Sequence, residues 1–220
     1  MTVLARPEAS EAQSASARVV KAIVRGLYEG LYAPGQRLAE PELMEQFGVG
    51  RSTARESIRL MESEGLVTVL PHRGAVIRRM SAEEALDALL VMELCIGLAA
   101  RQAAERVAAK GGRALEQAWR ELQRFRDTPH GYDFIAARNR FYRAITDIAG
   151  NEELRRIVPS IHVHLIRRDY SMTAPARFED YARMTEAILA GDAAAAETAA
   201  RKHIARTAAL VRQRAASKED

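Results

Sequence analysis

Residues Val49–Val67 read "VGRSTARESIRLMESEGLV", and the reading of the whole chain turns on what this stretch does. Residues four apart lie on one face of a helix, so Arg51, Arg55 and Arg59 form a cationic stripe. Ile58, Met61 and Leu66 point elsewhere, toward a core. Arg51 and Arg55 sit near the helix start, where the backbone dipole already favours anions. Taken alone, such a stripe is more often the solvated face of an ordinary surface helix. Its neighbours in the sequence decide.

Upstream, the segment from Ala17 to Tyr32 carries Val20, Ile23, Val24, Leu27 and Leu31 at helical spacing. It ends at "GLYAPGQRL", where Pro34-Gly35 forces a turn. Glu40 to Phe47 gives a second, short helix with Leu43, Met44 and Phe47 inward, and "GVG" breaks the chain before the arginine helix. Downstream of Gly65, "LVTVL" and "AVIRR" are short strand-like runs joined by "PHRG", a hairpin. Helix, helix, turn, helix, hairpin is the layout of a winged helix-turn-helix. In that layout the third helix lies in the major groove, with its N-terminal residues meeting base edges. The hairpin tip "HRG" lies over an adjacent phosphate or minor groove, and Gly74 permits close backbone approach. The stripe is then a DNA-reading surface.

Bulk composition agrees without adding much. The 220 residues are 48% hydrophobic and only 5% aromatic, with alanine runs such as "DAAAAETAA" that suit helices packed on helices. The formal charge is only +4, so a nucleic-acid surface has to be a local patch. Residues 51–79 supply one, with six arginines against three glutamates. Cys95 is the only cysteine, which excludes a disulfide framework and a cysteine zinc cluster and suits a reducing cytoplasm. Its neighbours Leu94, Ile96 and Leu98 make it a small core residue rather than a nucleophile. No apolar run reaches the roughly 18 residues of a membrane span, and the N-terminus has no signal-peptide core.

From Ser81 onward no strand pattern recurs. Ser81 with Glu84 makes a capping box before a long helix to about Ala109, and "KGGR" breaks it. Further helical segments follow at about 113–127, 131–149, 152–171, 177–190 and 192–214. These are expected to form an antiparallel bundle of about six helices, since no internal repeat suggests a solenoid. The expected fold is therefore mostly α. It has a loose segment over 1–16, a winged helix-turn-helix with a small β-hairpin wing over 17–79, and a separate all-helical domain over 80–220.

The stretch "GLYAPGQRLAEPELMEQFGVGRSTARESIRLMESEGLVTVLPHRGAVI" closely resembles the winged-helix domain of GntR-family bacterial transcription regulators. The later segments "FYRAITDIAGNEEL" and "EAILAGD...KHI" are similar to the helical ligand-binding domain of its FadR subfamily. The resemblance implies a homodimer that binds a palindromic double-stranded operator and responds to a small metabolite, often an organic acid. It implies that Arg51 and Arg55 read bases, that Ser52 and Thr53 are their polar neighbours, and that Arg73 and Gly74 form the wing tip. Pro41 stands where many members carry an arginine, which removes one DNA contact. Gly50 replaces the usual serine ahead of Arg51 and brings no side-chain oxygen to cap the helix.

The helical domain departs further from the family pattern. Many members bind a divalent metal through an Asp and a His four apart, in a D-x-x-F-H motif, plus two later histidines. Here "RNRFY" puts Arg138 at the Asp position and Tyr142 at the first His position, Tyr181 stands in for the next, and only His203 survives. One imidazole beside an arginine does not hold a divalent cation, so no metal and no other cofactor is expected. Met92 likewise replaces an arginine found in many relatives.

Arg138 shares an apolar stripe with Phe134, Phe141, Tyr142, Ile145 and Ala149, which places it inward without help from the resemblance. A buried guanidinium has to meet a carboxylate or a ligand. Two readings stand open: an internal salt bridge, or a fixed positive charge that replaces the metal and grips an anionic effector. In the second, Tyr142, Tyr181 and His203 add hydrogen bonds, although His203 also suits a satisfied core position. His162, His164 and Arg167 are candidates for the same cavity, but periodicity does not fix their faces.

No nucleophile with its base, no paired carboxylates, no metal set and no glycine-rich phosphate loop is present, so an enzyme is not expected. The expected protein is a cytoplasmic, ligand-responsive repressor. A non-specific architectural DNA-binding protein is the alternative, though it has no need of about 140 residues of separate helical domain.

Overall fold

The computed structural model describes residues 14–70, 74–160 and 173–217. Among these are nine helices and three short strands, in two compact units, 1–78 and 79–220. The first dozen residues, Arg73 at the wing tip, the 161–171 part of the helix expected over 152–171, and His162, His164 and Arg167 lie outside the described residues.

In the first unit, α1 (Ala15–Glu29) is capped by Ser14, whose hydroxyl accepts from the Ala17 amide at 3.2 Å. It buries Val19, Val20, Ile23 and Leu27. It ends at Gly30, short of the expected Tyr32, because Gly30 takes the left-handed conformation (φ 79°) that terminates helices. Gly26 is required by packing: a Cβ there would lie 2.5 Å from the Tyr32 ring.

The residue pair Arg37–Leu38 forms β1, α2 spans Glu40–Phe47 and α3 spans Arg51–Ser63. β2 (Val67–Leu70) and β3 (Gly74–Ile77) form the hairpin. Two strands are expected from the sequence. The sheet has three, in the order β1-β3-β2, all antiparallel. A two-residue strand carries too little alternation to be seen as a strand. Its Leu38 pairs with Ala75 and enters the same core as Leu43, Ala54, Met61, Leu66 and Ile77. Met44 and Phe47 pack against that core from its edge.

The second unit is all helix. α4 (Ala82–Lys110) begins with the expected capping box: the Glu84 amide donates to Ser81 Oγ at 3.1 Å, and the Ser81 amide donates to Glu84 Oε2 at 2.8 Å. α5 (Arg113–Gln123), α6 (Gly131–Ala149), α7 (Glu152–Ser160), α8 (Ala174–Leu189) and α9 (Ala193–Ala216) follow. α8 starts three residues earlier than expected because Pro175 sits in its first turn, where the missing amide has no partner to lose.

Small residues let α4 and α9 pack closely: Ala99, Ala100, Ala103 and Ala104 on one, Ala196, Ala200 and Ala208 on the other, all buried. Outside that seam Arg201 pairs with Glu93 at 3.1 Å. α6 packs on α4, α5 and α7 and buries residues around most of its circumference. Between α5, α6 and α8 lies an aromatic core of Trp119, Phe134, Phe141, Tyr142, Phe178 and Tyr181, with Phe141 and Tyr181 ring centroids 5.2 Å apart. Cys95 is half-buried, and burial pushes its thiol pKa up, away from the reactive thiolate.

Candidate functional site

The chain offers two candidate sites, one in each unit. In the first, α3 divides its residues cleanly. Ala54, Ser57, Ile58 and Met61 are buried, while Arg51, Ser52, Arg55 and Arg59 are exposed and Thr53 is half-buried. Ser57 is held inside by its hydroxyl, which donates to the Thr53 carbonyl at 2.8 Å and to the Ser16 carbonyl of α1 at 3.4 Å. This anchors the first turns of α3 and fixes the direction in which Arg51 and Arg55 project. Gly50 is the N-cap, with extended φ −73° and ψ 162° and no side-chain cap.

Gly74 opens β3 at φ +78°, a conformation that favours glycine. Beside it runs the exposed side chain of Arg37 from β1, whose Nε lies 3.7 Å from where a Gly74 Cβ would stand. Nothing in the periodicity of "GQRL" ties Arg37 to the wing, so its place there is not legible in the sequence. Nor is the role of Glu40 legible there. Arg55 Nε donates to Glu40 Oε1 at 2.8 Å across a separation of fifteen residues, beyond any helical repeat.

In the second unit, Arg138, Tyr142, Tyr181 and His203 are all buried, at 4%, 6%, 0% and 0% exposure. The fold brings them into one row. Arg138 and Tyr142 are one turn apart on α6, the Tyr142 and Tyr181 rings are 6.2 Å apart, and the Tyr181 and His203 rings are 4.7 Å apart. Arg138 Nη2 donates to Asn139 Oδ1 at 3.2 Å.

Three further charged residues border this row that the sequence reading did not single out. Asp180, 2% exposed, lies 3.4 Å from His203 Nδ1 through Oδ2 and 3.0 Å from Arg206 Nη1 through Oδ1. Arg177 is buried with its guanidinium 5.4 Å from the Phe134 ring centroid. A signal existed for the first pair: Arg206 follows His203 by three residues on α9, and Asp180 precedes Tyr181. What was missing was the packing of α8 on α9. Among the described residues no three His, Cys, Asp or Glu side chains converge as a metal site would require. The donor set Arg138, Tyr142, Tyr181 and His203 does not suit a divalent cation.

Met92, at the position where many relatives carry an arginine, is 5% exposed and packs as a core residue. Among the described residues no helix is long and apolar enough to cross a membrane.

Comparison with known proteins covers both units. Residues 15–77 match the family model described as bacterial regulatory proteins, gntR family, and residues 84–206 match the FCD domain. An uncharacterized HTH-type transcriptional regulator of Streptomyces ambofaciens is 28% identical over 178 residues, covering 78% of this chain and 74% of that protein. The HTH-type transcriptional repressor RspR of Escherichia coli is 24% identical over 137 residues, covering 62% of this chain and 60% of its own. Among solved structures, E. coli McbR/YncC superposes with a TM-score of 0.76 at 17% identity, over 91% of this chain and 98% of that one.

Proposed function

The chain belongs to the gntR family of bacterial regulatory proteins, in the FadR-like branch marked by the FCD domain, and from that premise we propose how it regulates. The family comprises DNA-binding transcription regulators, not enzymes, and the FCD domain is its effector-binding part. In our reading the protein binds a palindromic operator as a homodimer. It represses transcription there, and a small anionic metabolite in the helical unit changes its DNA affinity.

The observation that carries the DNA half is the division of α3. Arg51, Ser52 and Arg55 project to solvent from a helix start whose opposite face is locked into a core. Gly74 and Arg73 form the wing contact, with Gly74 supplying the backbone conformation. For the dimer, the support is an apolar row on α4. Leu90, Val91 and Leu94 are adjacent on one helix side and 59%, 49% and 52% exposed. We assign that row to a second copy of this chain, consistent with a two-fold symmetric target. For the effector, the support is the buried row from Arg138 to His203, in which a guanidinium is joined by two phenols and an imidazole. Arg138 grips the anion bidentately and Tyr142, Tyr181 and His203 complete its hydrogen bonds, without a metal.

The test is selection from a random duplex pool at moderate salt, with the mass of the complex measured by light scattering. The expected result is one two-fold symmetric site bound by two copies. Binding that shows no sequence preference and collapses as salt rises would identify the architectural alternative instead.

A further inference from the structure

The DNA-reading face of α3 carries a carboxylate at its edge. Glu40, the first residue of α2, accepts from Arg55 Nε at 2.8 Å, with the two side chains 32% and 63% exposed. Arg51 and Arg59, the other arginines of the stripe, have no ion-pair partner among the described residues. An exposed pair of this kind adds little to stability, and an acid beside the groove opposes binding to phosphates. Its place in the first turn of α2 suits that helix's dipole, but its pairing with Arg55 needs a different reason.

The geometry of the contact gives one. A guanidinium offers a side edge through Nε and an end edge through its two terminal nitrogens. Glu40 takes Nε, which leaves the end edge of Arg55 available. The end edge is well suited to a bidentate contact with O6 and N7 of guanine. We infer that Glu40 is a specificity-determining residue of the DNA-binding surface: it holds Arg55 side-on, aims its end edge at a guanine, and withholds it from the phosphate backbone. This rests on the reading of α3 as the recognition helix.

Two consequences follow from elementary physics. An unrestrained arginine loses rotamer freedom on binding, whereas a tethered one has already lost much of it before DNA arrives. A guanidinium neutralised by a carboxylate also displaces fewer counterions from random DNA, so non-specific binding is weakened while the guanine contact is kept. Discrimination rises for both reasons.

The experiment uses the full chain and Glu40→Gln, Arg55→Ala and the double variant, each checked by circular dichroism. Each is measured on the duplex recovered by selection, on single-base variants of it, and on random-sequence duplex. Glu40→Gln is expected to bind random duplex more tightly, with a salt slope steeper by about one because Arg55 now reaches a phosphate. Its ratio of selected to random affinity is expected to fall about tenfold, with preference lost at the base position that Arg55→Ala also erases. In the Arg55→Ala background the Glu40 substitution is expected to change that ratio no further. Glu40→Asp, which keeps the charge but shortens the reach, is expected to lose the base preference while random-duplex binding stays weak. If Arg55→Ala erases no base preference, the recognition-helix reading itself fails. If Arg55→Ala does so while Glu40→Gln leaves ratio and preference unchanged, or the two effects simply add, Glu40 is an incidental surface partner and the inference is wrong.

Discussion

In the winged unit the candidate functional residues stand outside the core. Arg51 and Arg55 project to solvent, and behind them Ala54, Ile58 and Met61 do the packing. In the helical unit the candidates are the core. Arg138, Tyr142, Tyr181 and His203 are each at most 6% exposed, and Tyr181 alone touches the rings of Trp119, Phe141, Phe178 and His203. Function and stability are thus separable in the first unit and entangled in the second. A DNA-reading surface can be substituted at little structural cost, whereas a buried polar row cannot be edited without asking what remains to satisfy its neighbours.

The sharpest way to expose this difference is at the aromatic core. Phe141 is fully buried, with its ring 5.7 Å from that of Tyr142 and 5.2 Å from that of Tyr181. Phe141→Ala is expected to destabilise the helical unit by about 3–5 kcal/mol, read by urea denaturation, and to abolish effector binding with it. A variant that unfolded at the wild-type midpoint would mean that this core is not what holds the row together.

Next in size is the effector response. An anion present at about 100 times its Kd is expected to stabilise the wild type by about 2.7 kcal/mol in a thermal-shift screen of organic acids, and elemental analysis is expected to find no stoichiometric zinc, nickel or manganese. Arg138→Met is expected to fold, keep operator binding and lose that stabilisation. If instead the variant unfolds and no anion stabilises the wild type, Arg138 is an internal salt-bridge partner and the two units differ less than we propose.

The smallest effect lies in the winged unit. Gly50 caps α3 without a side chain, has an ordinary negative φ, and has open space around the position of a Cβ. Gly50→Ser adds the missing hydroxyl and is expected to stabilise that unit by a few tenths of a kcal/mol, about the difference between Gly and Ser caps. A loss of stability would show that the extended backbone at this position depends on glycine.

The same contrast explains what the sequence made legible. Surface function follows local periodicity, so the arginine stripe, the cap at Ser81 and the hairpin were readable from spacing alone, while the Gly50 cap came with the resemblance. Arg138 was readable as inward because α6 repeats its apolar positions faithfully. Contacts between distant residues were not. Glu40 meets Arg55 across two helices, Asp180 joins His203 to Arg206 across α8 and α9, and β1 is a strand only because Leu38 finds Ala75. Each depends on tertiary packing, which no window along the chain contains. The resemblance supplied Tyr181 and His203 as partners of Arg138. Its departures, arginine for aspartate and tyrosines for histidines, were the more informative part.

The central claim is that α3 reads DNA through Arg51 and Arg55. The direct measurement is the affinity of the Arg51→Ala/Arg55→Ala double variant for the selected duplex, by fluorescence anisotropy at moderate salt, beside circular dichroism and light scattering. Each arginine is expected to contribute roughly 1–3 kcal/mol of discrimination. The double variant should therefore bind the selected duplex no better than random DNA while remaining helical and dimeric. A folded, dimeric double variant that bound the selected duplex as tightly as the wild type would contradict the account.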